Sequence, residues 1–407
     1  MISKKRLYQI NSSRILQYVR LNRGVSRIQA ASDLDLDRST LTKVVRYLIG
    51  CGLVRETGKY RGKPGVGRMA IGLEIDPGFA LALGVEIQTE ALRWALVDLY
   101  GNLVSGGQKP LEAGQPLDDQ IIALFAEVKA DAGRLETRKI AGLGIGLSGV
   151  VDPYSGSVLY SYPLGIAEPF CLRERVERGT GVPVFIENDA NCCCWSEMAF
   201  RREPAGRNFL ALLGEFRNVD VGQNRESGFA FGIGIAIRES VLHGDNFTAG
   251  EFRSLLYDHD KPSHSQFSIT DAEAARLPGD NGILRRVFGE ISYNVSLLVN
   301  TLDITKIVLS GDFARYHGEL EPILEREIRR NWLYQTPRAC SIERSPDGEA
   351  AVSIGAAGLF VQKLFSVPGM TDHVDEEVGF ALLERIIPPE CSPEEVDRNT
   401  PATVSSR

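Results

Sequence analysis

No run of apolar residues approaches the ~18 that a membrane-crossing helix requires. The first residues, Met1 to Arg6 followed by a polar stretch, lack the apolar core of a secretory leader. The expectation is a cytoplasmic protein with no membrane partner. Cysteine offers no framework either: seven is an odd number, three are contiguous (Cys192, Cys193, Cys194), and none are paired at metal-knuckle spacing. That usage argues against disulfides and a zinc knuckle, and for reduced thiols serving as small apolar residues. Internal repeats and low-complexity blocks are missing too. What is present is ordinary for a globular chain: 43% hydrophobic and 24% charged residues over 407 positions, enough for two or three domains.

Charge divides the chain more sharply than composition. Residues 1–75 hold fifteen Lys and Arg against five Asp and Glu, a formal +10, which leaves −17 for the remainder of a chain whose total is −7. A small basic module joined to a large acidic body points to a polyanion met only by the first.

Local patterns give that module a shape. Ile15, Leu16 and Val19 recur at helical spacing within Asn11–Asn22. Ser26, with Gln29 three residues on, signals a capped helix with Ile28, Ala31 and Leu34 inward. After Asp35-Leu36-Asp37, a third helix runs Arg38 to Ile49 with an apolar stripe of Leu41, Val44, Val45 and Leu48. Its other face carries Arg38, Ser39, Thr42, Lys43 and Arg46, with Thr40 near the start. Two helices across a short turn, the second polar and basic outward, form a helix-turn-helix that places a recognition helix in the major groove. Ser39, Thr40 and Thr42 lie where base edges are met, while Lys43 and Arg46 suit bases or phosphates. A strand from Leu53, a Gly/Lys/Arg tip and a return strand from Arg68 to Leu73 read as a wing. Lys59, Arg61, Lys63 and Arg68 on it suit phosphates or the minor groove of a double-stranded DNA operator.

From Phe79 onward the pattern is a three-strand meander and then alternating helices and strands, twice over. That fits two α/β lobes with a cleft between them. The expected layout is a winged helix-turn-helix at 1–75 and an actin-like domain at 76–365. Its lobes would be roughly 76–187 plus 345–365, and 188–344. An acidic tail follows at 366–407, with a short helix at Phe380–Ile386 and disorder beyond.

Four ordered blocks resemble the ROK family of repressors and sugar kinases, specifically its transcriptional regulators. They are Gly144-Ile145-Gly146-Leu147-Ser148-Gly149-Val150-Val151-Asp152, Glu187-Asn188-Asp189-Ala190-Asn191 with Glu197, the stretch 303–311, and Gly355-Ala356-Ala357. The likeness covers nearly all of residues 10–365. It implies a sugar-kinase-like fold, a homodimer or dimer of dimers, and a carbohydrate effector contacted by Gly149, Asn188, Asp189 and Glu251. A second reading of Asn188 and Asp189 stays open: they cap the helix that follows.

Departures from the family matter as much. Its phosphate loop aligns with Glu86-Ile87-Gln88-Thr89-Glu90, where both glycines are replaced and Glu90 sets a carboxylate against an anion. At an effective dielectric of about 20, a like-charge contact near 4 Å costs roughly 4 kcal/mol. ATP is therefore not expected, and no residue is assigned a catalytic role. The zinc motif is also lost, with Ser254 at its His position and no Cys between Cys194 and Cys340, so no metal or cofactor is expected. Pro163 stands where the family has a sugar-contacting Asn. The expectation is a DNA-binding repressor that senses a sugar. The alternatives are an active sugar kinase bearing a DNA-binding module and a regulator that has lost sensing.

Overall fold

Asp37 opens the third helix by accepting hydrogen bonds from the backbone N–H groups of Ser39 and Thr40, both at 2.9 Å. Such local devices set the N-terminal architecture in the computed structural model, which describes residues 4–60, 70–135, 138–201, 208–217, 228–336, 338–369 and 378–387. Helix α1 (Lys4–Leu21) is followed by the two-residue strand β1 (Val25–Ser26), α2 (Arg27–Asp33) and α3 (Arg38–Gly50). Strands β2 (Val54–Tyr60) and β3 (Ala70–Ile75) then form an antiparallel pair, with β1 on the outer edge of β3.

The stripe Leu41, Val44, Val45 and Leu48 is buried as its spacing predicts. Two expectations are corrected. Ile28 is 66% exposed, because α2 turns Ala30 and Ala31 inward instead. The return strand expected to end at Leu73 runs on through Ile75, with both side chains fully buried.

The larger part repeats one plan twice. Strands β4 (Ala80–Ile87), β5 (Ala91–Asp98) and β6 (Leu103–Pro110), helix α4 (Leu117–Leu135) and β7 (Lys139–Leu147) begin the first lobe. A small antiparallel sheet of β8 (Val150–Asp152), β9 (Ser157–Tyr160) and β10 (Phe170–Cys171) interrupts it. Helix α5 (Leu172–Thr180) and β11 (Val184–Asn188) complete a five-stranded sheet ordered β11-β7-β4-β5-β6. Its first three strands are parallel and its last two antiparallel. Neither the small sheet, whose strands are two to four residues long, nor the nine-residue α5 was foreseen.

Helix α6 (Asp189–Phe200) leads to the second sheet, β14-β13-β12-β15-β16, built on the same mixed plan. It comprises β12 (Asn208–Arg217), β13 (Gly228–Ile237), β14 (Ser240–Val241), β15 (Lys306–Gly311) and β16 (Ser341–Arg344). Helices α7 (Asp271–Ala274), α8 (Asn281–Thr301) and α9 (His317–Arg330) belong to this lobe. Helix α10 (Ala351–Leu364) returns to lie on β4 and β7, and α11 (Phe380–Ile386) closes the described chain. No helix among the described residues is long and apolar enough to cross a membrane.

Three buried clusters hold this together. One fills the second lobe around Phe267, Phe288 and Phe313, and one lies under α4 and α5. The third runs without a break from Ile15, Leu16 and Val19 of α1 through Phe365 and α10 to Cys192–Cys194 of α6. The three thiols are buried there, and burial pushes each well above the ordinary thiol range. They pack and are poor nucleophiles.

Candidate functional site

Two surfaces carry the chemistry. The first is the outer face of α3, where Arg38, Ser39, Lys43 and Arg46 are exposed and Thr40 and Thr42 partly buried. The hydroxyls are already committed as donors. Ser39 Oγ and Thr40 Oγ1 donate to the Asp37 carboxylate at 2.6 and 2.5 Å, and Thr42 Oγ1 donates to the Arg38 carbonyl at 2.6 Å. These bonds hold Asp37 well below the usual carboxylate range. Ser39, Thr40 and Thr42 therefore present acceptor lone pairs outward more readily than hydroxyl protons.

The +10 of the first 75 residues overstates what a polyanion would meet. Arg14 donates to the Leu34 carbonyl, Arg27 pairs with Glu56 and Arg55 with Glu74, each at 2.7 Å. Arg23 stacks over the Tyr100 ring. Arg61, Lys63 and Arg68 lie outside the described residues. Lys59 is on β2, but its side chain is likewise outside them.

The second surface is the cleft between the lobes. Gly149, Asn188, Asp189 and Glu251, singled out from sequence, all line one cavity of about 360 Å³ together with Tyr160, Tyr162, Pro163, Phe231 and Arg253. A neighbouring cavity of about 280 Å³ shares Ser148, Pro163, Asp189 and Glu215 with it, so the two form one continuous cleft.

Asn188 does what its open second reading supposed: its Oδ1 accepts from Ala190 N and Asn191 N at 2.9 and 3.2 Å, capping α6. Its amide also donates to the Gly149 carbonyl at 3.1 Å, which ties the cap to the cavity wall. Gly149 has a φ of +125°, and a Cβ there would run into the Tyr160 carbonyl oxygen. Its lack of a side chain thus serves the close approach of β8 to β9 as well as the cavity. Asp189 Oδ1 accepts from Ala190 N at 2.8 Å while its carboxylate lines both cavities.

Glu187, one residue earlier, went unassigned in sequence and is the hub beneath the cavity. It is 1% exposed and accepts hydrogen bonds from Trp195 Nε1 at 3.0 Å, Asn191 Nδ2 at 3.2 Å and Asn188 N at 2.9 Å. His243 Nε2 stands 2.8 Å from the same carboxylate and its Nδ1 lies 3.2 Å from Tyr154 Oη. Burial alone would push Glu187 up; the pair with His243 and the bonds from Trp195 and Asn188 outweigh it and hold the group below its ordinary value. Nothing local marks His243, which lies 56 residues further along the chain.

The other end of the cleft, around Glu86 to Glu90, is rich in carboxylates. Glu86 is 2% exposed, and burial followed by repulsion from Glu215 pushes its carboxyl well above the usual range. Gln88 Nε2 bridges these two acids, at 2.9 Å to Glu86 and 3.4 Å to Glu215. The Gln88 backbone N–H is spent on the Ala91 carbonyl, and Arg93 lines the same cavity 3.4 Å from Glu86. The residues nearest the expected zinc position are engaged with other partners. Ser254 is buried and bonded to Asn294, His264 pairs with Asp271 on the surface, and His259 stacks on Tyr257. No cluster of three or more candidate ligands occurs among the described residues.

Residues 82–262 match the ROK family. The chain is similar to the xylose repressor of Caldicellulosiruptor bescii, 26% identical over 60% of this chain and 58% of that one. It thus spans about three fifths of the length of that repressor. It is also similar to the DNA-binding transcriptional repressor Mlc of Escherichia coli, 22% identical over 86% of this chain and 92% of that one. Among solved structures, a ROK family transcriptional regulator homologous to the E. coli Mlc protein shares the fold. Its TM-score is 0.71 at 20% identity, with coverage of 94% of this chain and 99% of that one.

Proposed function

Because the chain carries a ROK family domain behind a basic trihelical module, we propose that it is a DNA-binding transcriptional repressor whose two-lobed body senses a saccharide. On this reading residues 1–75 are a winged helix-turn-helix, 76–365 the effector and dimerisation domain, and 366–407 an acidic tail. The observation that carries the reading is α3: a fully buried apolar stripe on one side and exposed Arg38, Lys43 and Arg46 on the other. Two such helices in a dimer would meet half-sites about 34–36 Å apart or a multiple of that. The names of the similar repressors support both the DNA target and the sugar.

Asn188, Asp189, Gly149 and Glu251 would form the effector contacts. Amides and carboxylates suit a polyol, whose many hydroxyl donors must be satisfied once desolvated. Asp189 would bind and not catalyse, because the adjoining acids Glu86, Glu90 and Glu215 disfavour a phosphate donor. Neither ATP nor zinc is part of the reading.

The test is a fluorescence-anisotropy titration of the full chain with duplexes from the promoter of its own gene, repeated from 50 to 200 mM salt. A steep loss of affinity with salt is expected; salt-independent or absent binding overturns the reading. A coupled ATP-consumption assay over a carbohydrate panel checks the enzyme alternative, and turnover abolished by Asp189→Asn would overturn the reading of Asp189 as a binding residue only.

A further inference from the structure

Arg20 is a cation that the surface arguments leave unused. It sits near the end of α1, 9% exposed, against Phe365 of the third buried cluster. Its NH2 donates to the carbonyl of Ala199, its guanidinium lies 4.8 Å from the centre of the Phe365 ring, and its Nε has no hydrogen-bond partner among the described residues. Burial lowers its affinity for its proton to about 10.

Ala199 is in the last turn of α6, where helix carbonyls lack intrahelical donors and carry the negative end of the dipole. The other end of α6 is the cap formed by Asn188, at the wall of the larger cavity. One helix of 12 residues, about 18 Å long, thus has the candidate effector pocket at its start and the N-terminal module at its finish.

This helix has little freedom to bend. On one side a Cβ at Gly355 of α10 would collide with the Cys192 carbonyl; on the other a Cβ at Gly234 of β13 would meet that of Ala190. Backbone touches backbone on both flanks. Glu197 is further held by Lys306 at 3.1 Å and Arg201 at 2.9 Å. A helix packed this tightly moves as a rod, and close-packed interiors transmit a shift where a fluid core would absorb it. At the receiving end, withdrawal of the Ala199 carbonyl would leave a buried guanidinium short of an acceptor, which is costly.

We infer that Arg20 is the positioning residue that reads the place of α6, coupling occupancy of the cavity at Asn188 and Asp189 to the seating of α1 and α3. The inference rests on the sensing role proposed above, and it has a test that needs no effector.

In the full chain, Asn188→Ala perturbs the cap of α6. Hydrogen–deuterium exchange is read on peptides from α1 and α3, normalised to α8 as a control for global opening. The expected result is that Asn188→Ala speeds exchange in α1 by about threefold in the native background and leaves it unchanged in Arg20→Met. The thioether replaces the guanidinium with an apolar chain suited to a buried site. An equal effect in both backgrounds, or none in the native one, overturns the proposal. Arg20→Gln repeats the cycle should Arg20→Met fail to fold. Melting curves with D-xylose and D-glucose test sensing separately: if neither raises the melting temperature, the saccharide reading loses its support for these probes, while the Asn188–Arg20 cycle still decides the coupling.

Discussion

His243 and Glu187 meet across the cleft, Nε2 to Oε2 at 2.8 Å, with 10% and 1% of their side chains exposed. Glu187 is the penultimate residue of β11 in the first lobe and His243 follows β14 in the second, so this buried pair joins the two halves of the body. Tyr154 completes it by approaching the far nitrogen of His243.

The pair makes stability depend on acid. Glu187 is held below 4.5 in the folded protein, so its contribution is fully present above that value and fades as pH falls through the folded one. Glu187→Gln is expected to lower unfolding free energy at pH 7 by on the order of 3 kcal/mol, and to flatten the acid limb of the profile. Urea unfolding at pH 7 and at pH 4 measures both effects. An unchanged acid limb would show that Glu187 does not govern it.

Glu86 shifts in the opposite direction. Burial and Glu215 favour its neutral form, so stability is greatest below the unfolded value and is lost as pH rises through the raised folded one. Glu86→Gln is neutral at every pH. Its melting temperature is expected to match the native chain at pH 4 and to exceed it at pH 8 by about 2–4 °C. A variant that melts lower at pH 8 contradicts the assignment.

On α3, Lys43→Ala or Arg46→Ala is expected to weaken promoter binding by about 1–3 kcal/mol if the side chain reads a base. Arg55→Ala is the contrast, since its guanidinium is engaged by Glu74 at 2.7 Å. Anisotropy titrations at one salt concentration should leave Arg55→Ala within about 0.5 kcal/mol of the native chain. Equal losses from all three would mean that net charge, not the α3 face, sets affinity.

Two glycines in helices should respond oppositely to alanine. At Gly289 in α8 an added Cβ meets nothing within 4 Å, and Gly289→Ala should stabilise by about 0.5–1 kcal/mol. At Gly355 the same methyl strikes the Cys192 carbonyl, and Gly355→Ala should cost about 1–3 kcal/mol or more. Thermal melts of the two variants decide the matter, and a shift of the same sign in both would refute the tight seating of α6 on α10.

The α3 stripe was legible because residues three and four apart share a helix face whatever surrounds them. Ser26 and Asp37 were legible as caps for a similar reason: a side-chain oxygen two or three residues from an orphan N–H needs no tertiary partner. Gly149, Asn188, Asp189 and Glu251 came from a motif resemblance, and they do line one cavity. The basic excess was read correctly as a count and too generously as a surface, because Arg14, Arg20, Arg23, Arg27 and Arg55 face inward or pair locally.

The tail shows where local pattern stops. The short helix Phe380–Ile386 was expected, but its seat was not: the Phe380 N–H donates to Ser13 Oγ at 2.8 Å, and its ring meets Tyr8 and Tyr47 at 5.6 and 5.7 Å. These partners lie hundreds of residues away. Arg20 and Ala199, 179 residues apart, and Glu187 and His243, 56 apart, are likewise joined only by the fold.

Periodicity and capping, set within a few residues, and the charge excess of residues 1–75 belong to the sequence by itself, and they gave the N-terminal helices and the division into a basic front and an acidic body. Which buried charge finds which carbonyl, and which glycine lets two backbones touch, was decided only when distant segments packed. Burial removes water from those groups, and a desolvated charge must take its partner from whatever part of the chain the fold brings beside it.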